Sequence, residues 1–227
     1  MAFSQEEFML SKIELEENPS PRVPICLVLD TSYSMYGEPI KELNNGVKLF
    51  MDSIRRDDIA SASAEISMVT FGGTVKQVFD FGSIHRQTIP HLGVEGVTPM
   101  GEAVNLALDL LERRKMMYSQ SGVDYYQPWI VIMTDGAPTD DIARAASRTS
   151  DLVNKKKLTI FPIGIGPSAD MNTLKQFSPK RQPLRLKGLK FVEFFEWLSK
   201  SISMVSKSTP GEEVKLDVAS IPDWGSL

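Results

Sequence analysis

The sequence predicts an α/β fold: a doubly wound, mostly parallel central sheet with one antiparallel edge strand and helices on both faces. Three observations predict it. Short runs rich in Val, Ile and Leu, such as VPICLVL (23–29), WIVIM (129–133) and the centre of KLTIFPIGIG (157–166), are apolar throughout, as strands buried on both faces are. Between them lie segments whose apolar residues recur every three or four positions, the period of an amphipathic helix. Strand and helix alternating along a chain means parallel strands joined by helical crossovers. The third observation is Gly72-Gly73 between AEISMVTF (64–71) and TVKQVFDF (74–81), a hairpin signal that makes one strand antiparallel and puts it at an edge.

The elements follow in order. Residues 1–21, polar with apolar Phe8, Met9, Ile13 and Leu15, read as an N-terminal arm that ends at Asn18-Pro19-Ser20-Pro21. The first buried strand, 23–29, is followed by a helix opened by Glu38-Pro39, with Ile40, Leu43, Val47, Phe50, Met51 and Ile54 on its inner side. After the hairpin comes a long connection, 82–97. Pro99-Met100-Gly101 then starts a second helix, with Ala103, Leu106, Ala107, Leu110 and Leu111 facing inward. Residues 127–136 are a strand, and Thr139-Asp140 reads as the cap of a third helix. The strand at 157–166, a short helix over Met171–Phe177, a short strand at 184–188 and a closing helix through Phe191, Phe194, Phe195, Leu198, Ile202 and Val205 complete the main domain, 22–206. Residues 207–227 read as a C-terminal tail with Val214, Leu216, Val218, Ile221 and Trp224 among charges. It either packs on its own sheet edge or helices, or serves as a docking peptide.

Composition narrows the class of function. The 227 residues are 42% hydrophobic and 24% charged, which is ordinary for a globular chain long enough to bury a core without staples. A net charge of −4 argues against nucleic acid or anionic lipid as a bulk partner. The single cysteine, Cys26, cannot form an internal disulfide and leans towards a reducing compartment. MAFSQEEFMLSK is not a signal peptide, and no run reaches the ~18 apolar residues of a membrane span. The expectation is a soluble, cytoplasmic protein.

Open α/β sheets bind ligands beyond the carboxyl ends of their strands, and three polar clusters stand at such places. Asp30-Thr31-Ser32-Tyr33-Ser34 follows the first strand, Thr98-Pro99-Met100-Gly101-Glu102 opens the second helix, and Thr134-Asp135-Gly136 follows WIVIM. If the first strand neighbours WIVIM, all three open on one rim. Asp30, Ser32, Ser34, Thr98 and Asp135 then offer two carboxylates and three hydroxyls. These are hard oxygen donors, suited to Mg²⁺, Mn²⁺ or Ca²⁺ rather than zinc or copper.

In this order and spacing, LVLDTSYSM, VTPMGEAV and VIMTDGAPTD resemble the metal-ion-dependent adhesion site (MIDAS) of von Willebrand factor A (VWA) domains. The resemblance covers roughly residues 22–206. Within that family, LDTSYSMYGEPI and MTDGAPTD look most like the stand-alone bacterial VWA proteins of tellurium-resistance and stress-response systems. Tyr33 is a departure, since the family often has glycine there. The resemblance implies that Ser32, Ser34 and Thr98 ligate the metal directly while Asp30 and Asp135 act largely through waters. By the same resemblance, an ion so held stays electron-poor and takes a carboxylate from a protein partner, for which a kinase or phosphatase of the same system is a candidate. That is grip rather than catalysis, so no enzyme is expected.

Plainer readings exist for each piece alone. Asp-x-Ser-x-Ser suits a capped turn, Thr98 before Pro99 suits a helix N-terminus, and Asp135-Gly136 is a common turn pair. The alternatives for the whole are a metal-dependent phosphoryl-transfer enzyme on a similar sheet, and a scaffold whose site never loads. Against the first, GVEGVTPMG lacks the Gly-Lys-Ser/Thr end of a phosphate loop, and Ser32 stands where an aspartyl phosphatase needs its second Asp. His85 and His91 have no cysteine companions. Lys155-Lys156-Lys157 and the looser group Lys180, Arg181, Arg185 and Lys187 read as solvated surface.

Overall fold

The apolar strand runs of the sequence become the middle of a seven-stranded sheet in the computed structural model, which describes residues 13–212, 214, 216 and 221–226. The strands are β1 (Val23–Asp30), β2 (Ala64–Gly72), β3 (Thr74–Phe79), β4 (Trp129–Thr134), β5 (Thr159–Ile165), β6 (Leu184–Leu186) and β7 (Gly225–Ser226). The helices are α1 (Glu38–Arg56), α2 (Asp58–Ser63), α3 (Met100–Ser121), α4 (Ala143–Asn154), α5 (Met171–Phe177), α6 (Phe191–Ser206) and α7 (Ile221–Trp224). Strand order is β3-β2-β1-β4-β5-β6-β7. β1 pairs in parallel with both β2 and β4, and β4, β5 and β6 continue in parallel. The Gly72-Gly73 hairpin makes β3 antiparallel at one edge, as the sequence predicts. A second antiparallel pair, of two residues, closes the other edge at β6–β7.

Side chains alternate across a strand, so β1 divides its residues between two cores. Ile25, Leu27 and Leu29 face α1 and α6, together with Phe50, Phe194 and Phe195. Cys26 and Val28 face the other way, into a layer built from α3, α4 and α5. All eight residues of β1 are buried. Burial pushes the Cys26 thiol up to about 12, which leaves it inert as a nucleophile.

Two details depart from the sequence reading. Thr139-Asp140 does not cap the helix that follows it. Ile142 stands at the start of α4 with no side-chain cap. Asp140 instead accepts from the backbone N–H groups of Gly101 and Glu102, at 3.0 and 2.8 Å, so it caps α3, some forty residues earlier. The Pro-Met-Gly-Glu start of α3 carries no cap of its own, and its orphan N–H groups need an acceptor. The second detail is an ionic network beneath β2. Glu65, 4% exposed, accepts from Arg22 Nε (3.2 Å), Arg114 Nε (2.6 Å), Arg114 Nη2 (2.7 Å) and the Tyr118 hydroxyl (2.6 Å). Arg22 also donates to the Asn18 carbonyl at 2.7 Å, which ties the N-terminal arm to the domain. Leu15 packs on Met117 and Tyr118; Phe8 and Met9 lie outside the described residues.

The described part of the tail lies on its own domain. The Tyr126 hydroxyl donates to the Ser208 carbonyl at 2.6 Å, just past α6. Trp224 is 2% exposed, with its ring 5.4 Å from Phe194 and 5.6 Å from Trp197. Val218 lies outside the described residues.

Candidate functional site

Because β1 and β4 are neighbours in parallel register, the loops leaving their carboxyl ends lie side by side. Asp30 is the last residue of β1 and fully buried. One carboxylate oxygen accepts from the Ser32 N–H at 2.8 Å, and the other accepts from the Thr134 hydroxyl at 2.5 Å. Burial pushes the Asp30 pKa up from its ordinary value; the bonds from Ser32 and Thr134 pull it down, and the nearby charge of Asp135 adds to the rise. A 3-10 turn, Tyr33–Met35, follows. It brings the Ser32 and Ser34 hydroxyl oxygens to 3.0 Å from each other, and the Ser34 hydroxyl donates to Asp135 Oδ1 at 2.6 Å. Asp30, Ser32, Ser34 and Asp135 thus form one continuous string across two loops.

Thr98 joins the string through its backbone. The 95–98 segment is bonded to the first loop: Glu95 N–H donates to the Thr31 carbonyl at 2.8 Å, and Tyr33 N–H to the Gly96 carbonyl at 3.0 Å. Gly73 N–H donates to the Val97 carbonyl at 2.8 Å. On the other side, Thr98 N–H donates to the Thr139 hydroxyl at 3.1 Å, and Thr139 N–H returns a bond to the Thr98 carbonyl at 2.9 Å. Thr98 itself is 6% exposed. Its hydroxyl makes no hydrogen bond among the described residues, so its lone pairs are uncommitted.

This approach needs glycine. A Cβ on Gly72 would stand 2.3 Å from the Thr31 carbonyl oxygen and 2.7 Å from that of Glu95. Gly96 has φ +57°, and a Cβ there would stand 2.3 Å from the Gly73 Cα. Gly72→Ala must therefore push the first and second loops apart. We expect it to weaken divalent-metal binding about tenfold or more by calorimetry, on the scale of other losses of supporting contacts, while the far-ultraviolet circular dichroism stays that of the wild type.

All five residues named from the sequence lie on these three loops. Three supporting residues fall outside that set. Thr134 orients Asp30, Thr139 holds Thr98, and Asp140 fixes the helix that Thr98 precedes. Thr134 stands next to Asp135 and carried a readable signal, a hydroxyl at a strand end. Thr139 and Asp140 read as local caps, and nothing in their neighbourhood points to partners near residue 100.

The donor set is oxygen alone. Among the described residues no three His, Cys, Asp or Glu side chains gather as a metal cluster; the arrangement is two carboxylates among hydroxyls. Its mouth carries three exposed apolar side chains, Tyr33 (67%), Tyr36 (79%) and Val97 (57%). Tyr33 therefore points to solvent beside the serines rather than into the fold.

Known proteins share this frame. An uncharacterized protein of Synechocystis is 23% identical over 186 residues, 79% of this chain and 41% of its own length, so the chain spans less than half of that relative. The von Willebrand factor domain of the Porphyromonas gingivalis type V pilus tip protein Mfa5 has a similar fold, with TM-score 0.63 and 12% identity over 86% of this chain and 99% of that one. Two further similar structures hold metal. Proximal thread matrix protein 1 of the mussel byssus, with zinc in its MIDAS motif, gives TM-score 0.54 and 17% identity over 81% of this chain and 48% of that one. Manganese-loaded TRAP protein of Plasmodium vivax gives TM-score 0.53 and 22% identity over 70% of this chain and 63% of that one. The sequence profile of the von Willebrand factor type A domain matches residues 25–189, most of the chain and all three site loops, and the chain belongs to that family.

Proposed function

We propose that the protein binds a divalent cation through Asp30, Ser32, Ser34, Thr98 and Asp135 and uses it to hold a carboxylate of a protein partner. The observation that carries this reading is the Asp30–Ser32–Ser34–Asp135 string of oxygens. An octahedral ion with bonds of about 2.0–2.1 Å puts adjacent ligand oxygens about 2.9 Å apart. The Ser32–Ser34 and Ser34–Asp135 separations are 3.0 and 2.6 Å. Hydrogen bonds keep the oxygens near that spacing, so their lone pairs can turn to the ion without moving the loops far. A larger ion such as Ca²⁺ needs a wider ring, which favours Mg²⁺ or Mn²⁺.

Grip is favoured over phosphoryl transfer by what surrounds the site. The hydrogen-bond partners of Asp30, Ser32, Ser34 and Asp135 are hydroxyls, carboxylates and backbone N–H groups, and no imidazole or amine is among them to serve as a general base. The exposed Tyr33, Tyr36 and Val97 suit a protein surface, since tyrosine is a frequent anchor at interfaces. Our reading, which rests on the resemblance of LDTSYSMYGEPI and MTDGAPTD, takes the partner from a cytoplasmic tellurium-resistance or stress-response system, with a kinase or phosphatase as a candidate. Among the described residues no helix is long and apolar enough to cross a membrane.

Two measurements test the proposal together. Calorimetric titration with Mg²⁺ and Mn²⁺ is expected to show one saturable site in the wild type. A protein retained on the immobilised chain in Mg²⁺ should elute with EDTA and rebind when Mg²⁺ is restored. A partner that EDTA leaves in place would refute the carboxylate grip even if the metal binds. Silence in the titration would refute the site.

A further inference from the structure

The mouth of the candidate metal site has two unlike sides. Strand order puts the first loop, which follows β1, between the loops of β2 and β4. On the β2 side stand the β2–β3 hairpin and residues 95–97. They are tied to the first loop by the bond from the Tyr33 N–H to the Gly96 carbonyl, and to each other by the bond from the Gly73 N–H to the Val97 carbonyl. On the β4 side stand residues 135–141, which also hold the start of α3 through Asp140. The Ser34–Asp135 bond joins the first loop to that side. A carboxylate held at the metal site therefore sits with one side above each of these surfaces.

The β2 side is apolar. The described residues expose eight large apolar side chains, and three of them, Tyr33, Tyr36 and Val97, stand here. Tyr33 lies between Ser32 and Ser34, and Val97 next to Thr98, so the apolar surface begins one residue from the proposed ligands. The Tyr36 N–H donates to the Tyr33 carbonyl at 3.1 Å and closes the 3-10 turn; positions three apart on such a turn lie on one side of it. Apolar residues exposed singly need no explanation, whereas a group of them rimmed by polar residues marks an interaction site. The charges on this side are paired, Glu95 with Lys76 at 2.7 Å and Glu38 with Lys41 at 2.8 Å. The β4 side is acidic. Among the described residues Glu102, Asp135, Asp140 and Asp141 make no ion pair, and Arg144 is the single cation in residues 135–144. A bound segment thus meets tyrosine rings on one side of its carboxylate and uncompensated negative charge on the other. Tyrosine offers a large contact area at low entropic cost. Like charges brought together at an interface are penalised and opposite ones favoured.

We propose that the partner segment recognised here carries one Asp or Glu with a large apolar side chain close to it on one side and Lys or Arg, rather than further acids, on the other. Tyr33, Tyr36 and Val97 select the apolar neighbour, and the exposed Glu102 and Asp141 select the cation. This selectivity rests on the metal-held carboxylate proposed above.

The test is selection from a random library of short displayed peptides on the immobilised full chain in Mg²⁺, with elution by EDTA and sequencing of what elutes. Expected is enrichment of peptides with a single acid, an apolar residue beside it and a cation on the opposite side. The most enriched peptide, synthesised and titrated calorimetrically in Mg²⁺, should bind Tyr33→Ser and Tyr36→Ser about tenfold more weakly than wild type, the scale of a tyrosine anchor at an interface. Both side chains are exposed, so the variants should keep the wild-type melting temperature and Mg²⁺ affinity. Replacing the peptide's cation by Glu should weaken binding to the wild type, and Glu102→Gln should narrow that gap. Eluted peptides that keep the acid but show no apolar neighbour, tyrosine variants that bind as the wild type does, or enrichment of several acids together would overturn the proposal and leave the metal-held carboxylate standing. Eluted peptides without an acid, or no peptide released by EDTA, would overturn the carboxylate grip and this selectivity with it.

Discussion

Asp30→Asn is expected to abolish the stabilisation that Mg²⁺ gives the protein while leaving the metal-free fold at least as stable as the wild type. A ligand at 100 times its dissociation constant stabilises the folded state by about 2.7 kcal/mol. For a chain of this size that raises the melting temperature by roughly 5–11 °C. Asp30 is one of two carboxylates in the site, and asparagine keeps its shape but not its charge. In the metal-free protein that charge is a burden. Burial raises the folded-state pKa of Asp30 above its unfolded value. The folded state therefore holds more protons than the unfolded one between those two values, and stability falls as pH rises through that window. Above it the metal-free wild type carries the full cost of a buried carboxylate, which asparagine removes. Thermal denaturation with and without Mg²⁺, at neutral pH, checks both halves. A wild type that ignores Mg²⁺, or an Asp30→Asn variant that responds equally, would contradict the assignment.

Glu65→Ala is expected to cause the largest loss of stability of any single change considered. It leaves Arg22 and Arg114, each 3% exposed, without the carboxylate between them. Breaking a buried pair by removing one partner costs about 3–5 kcal/mol, because the remaining charge stays buried and uncompensated. The corresponding drop in melting temperature is roughly 6–20 °C. Tyr118 adds to the effect. Burial, with the charge of Glu65, pushes its pKa well above the ordinary phenol value, so it is a neutral donor that loses its acceptor. Glu65→Gln keeps an acceptor oxygen in place and should lose less. Equal losses from the two variants would show that the charge of Glu65, and not its shape or acceptor oxygen, carries the whole effect.

Legibility in the sequence followed the range of the forces involved. β1, β4 and β5 were readable because burial on both faces leaves no room for polar residues in VPICLVL, WIVIM and TIFPI. The hairpin was readable because Gly72-Gly73 states its turn locally. The five proposed ligands were readable because each follows or opens an element, and oxygen donors collected at strand ends need a reason. Asp140 was misassigned because a cap is ordinarily local, whereas its acceptor oxygens serve N–H groups 39 and 38 residues away. Glu65 was silent for a related reason: it stands near the start of a wholly buried strand, and its partners at 22, 114 and 118 meet it only after the sheet and α3 have packed.

The strand order has a consequence for how the molecule is made. Of the seven strands of the sheet β1 is synthesised first, and it ends inside the sheet, with later strands added outward on both flanks. Its β2 flank becomes available once residue 72 has emerged, but its β4 flank must wait for residue 134. Until then one side of the apolar run VPICLVL stays unpaired in the nascent chain, the kind of surface on which holding chaperones act. A ribosome-bound intermediate halted before β4 should therefore associate with such chaperones and fail to retain a divalent ion, because Asp135 has not yet been synthesised.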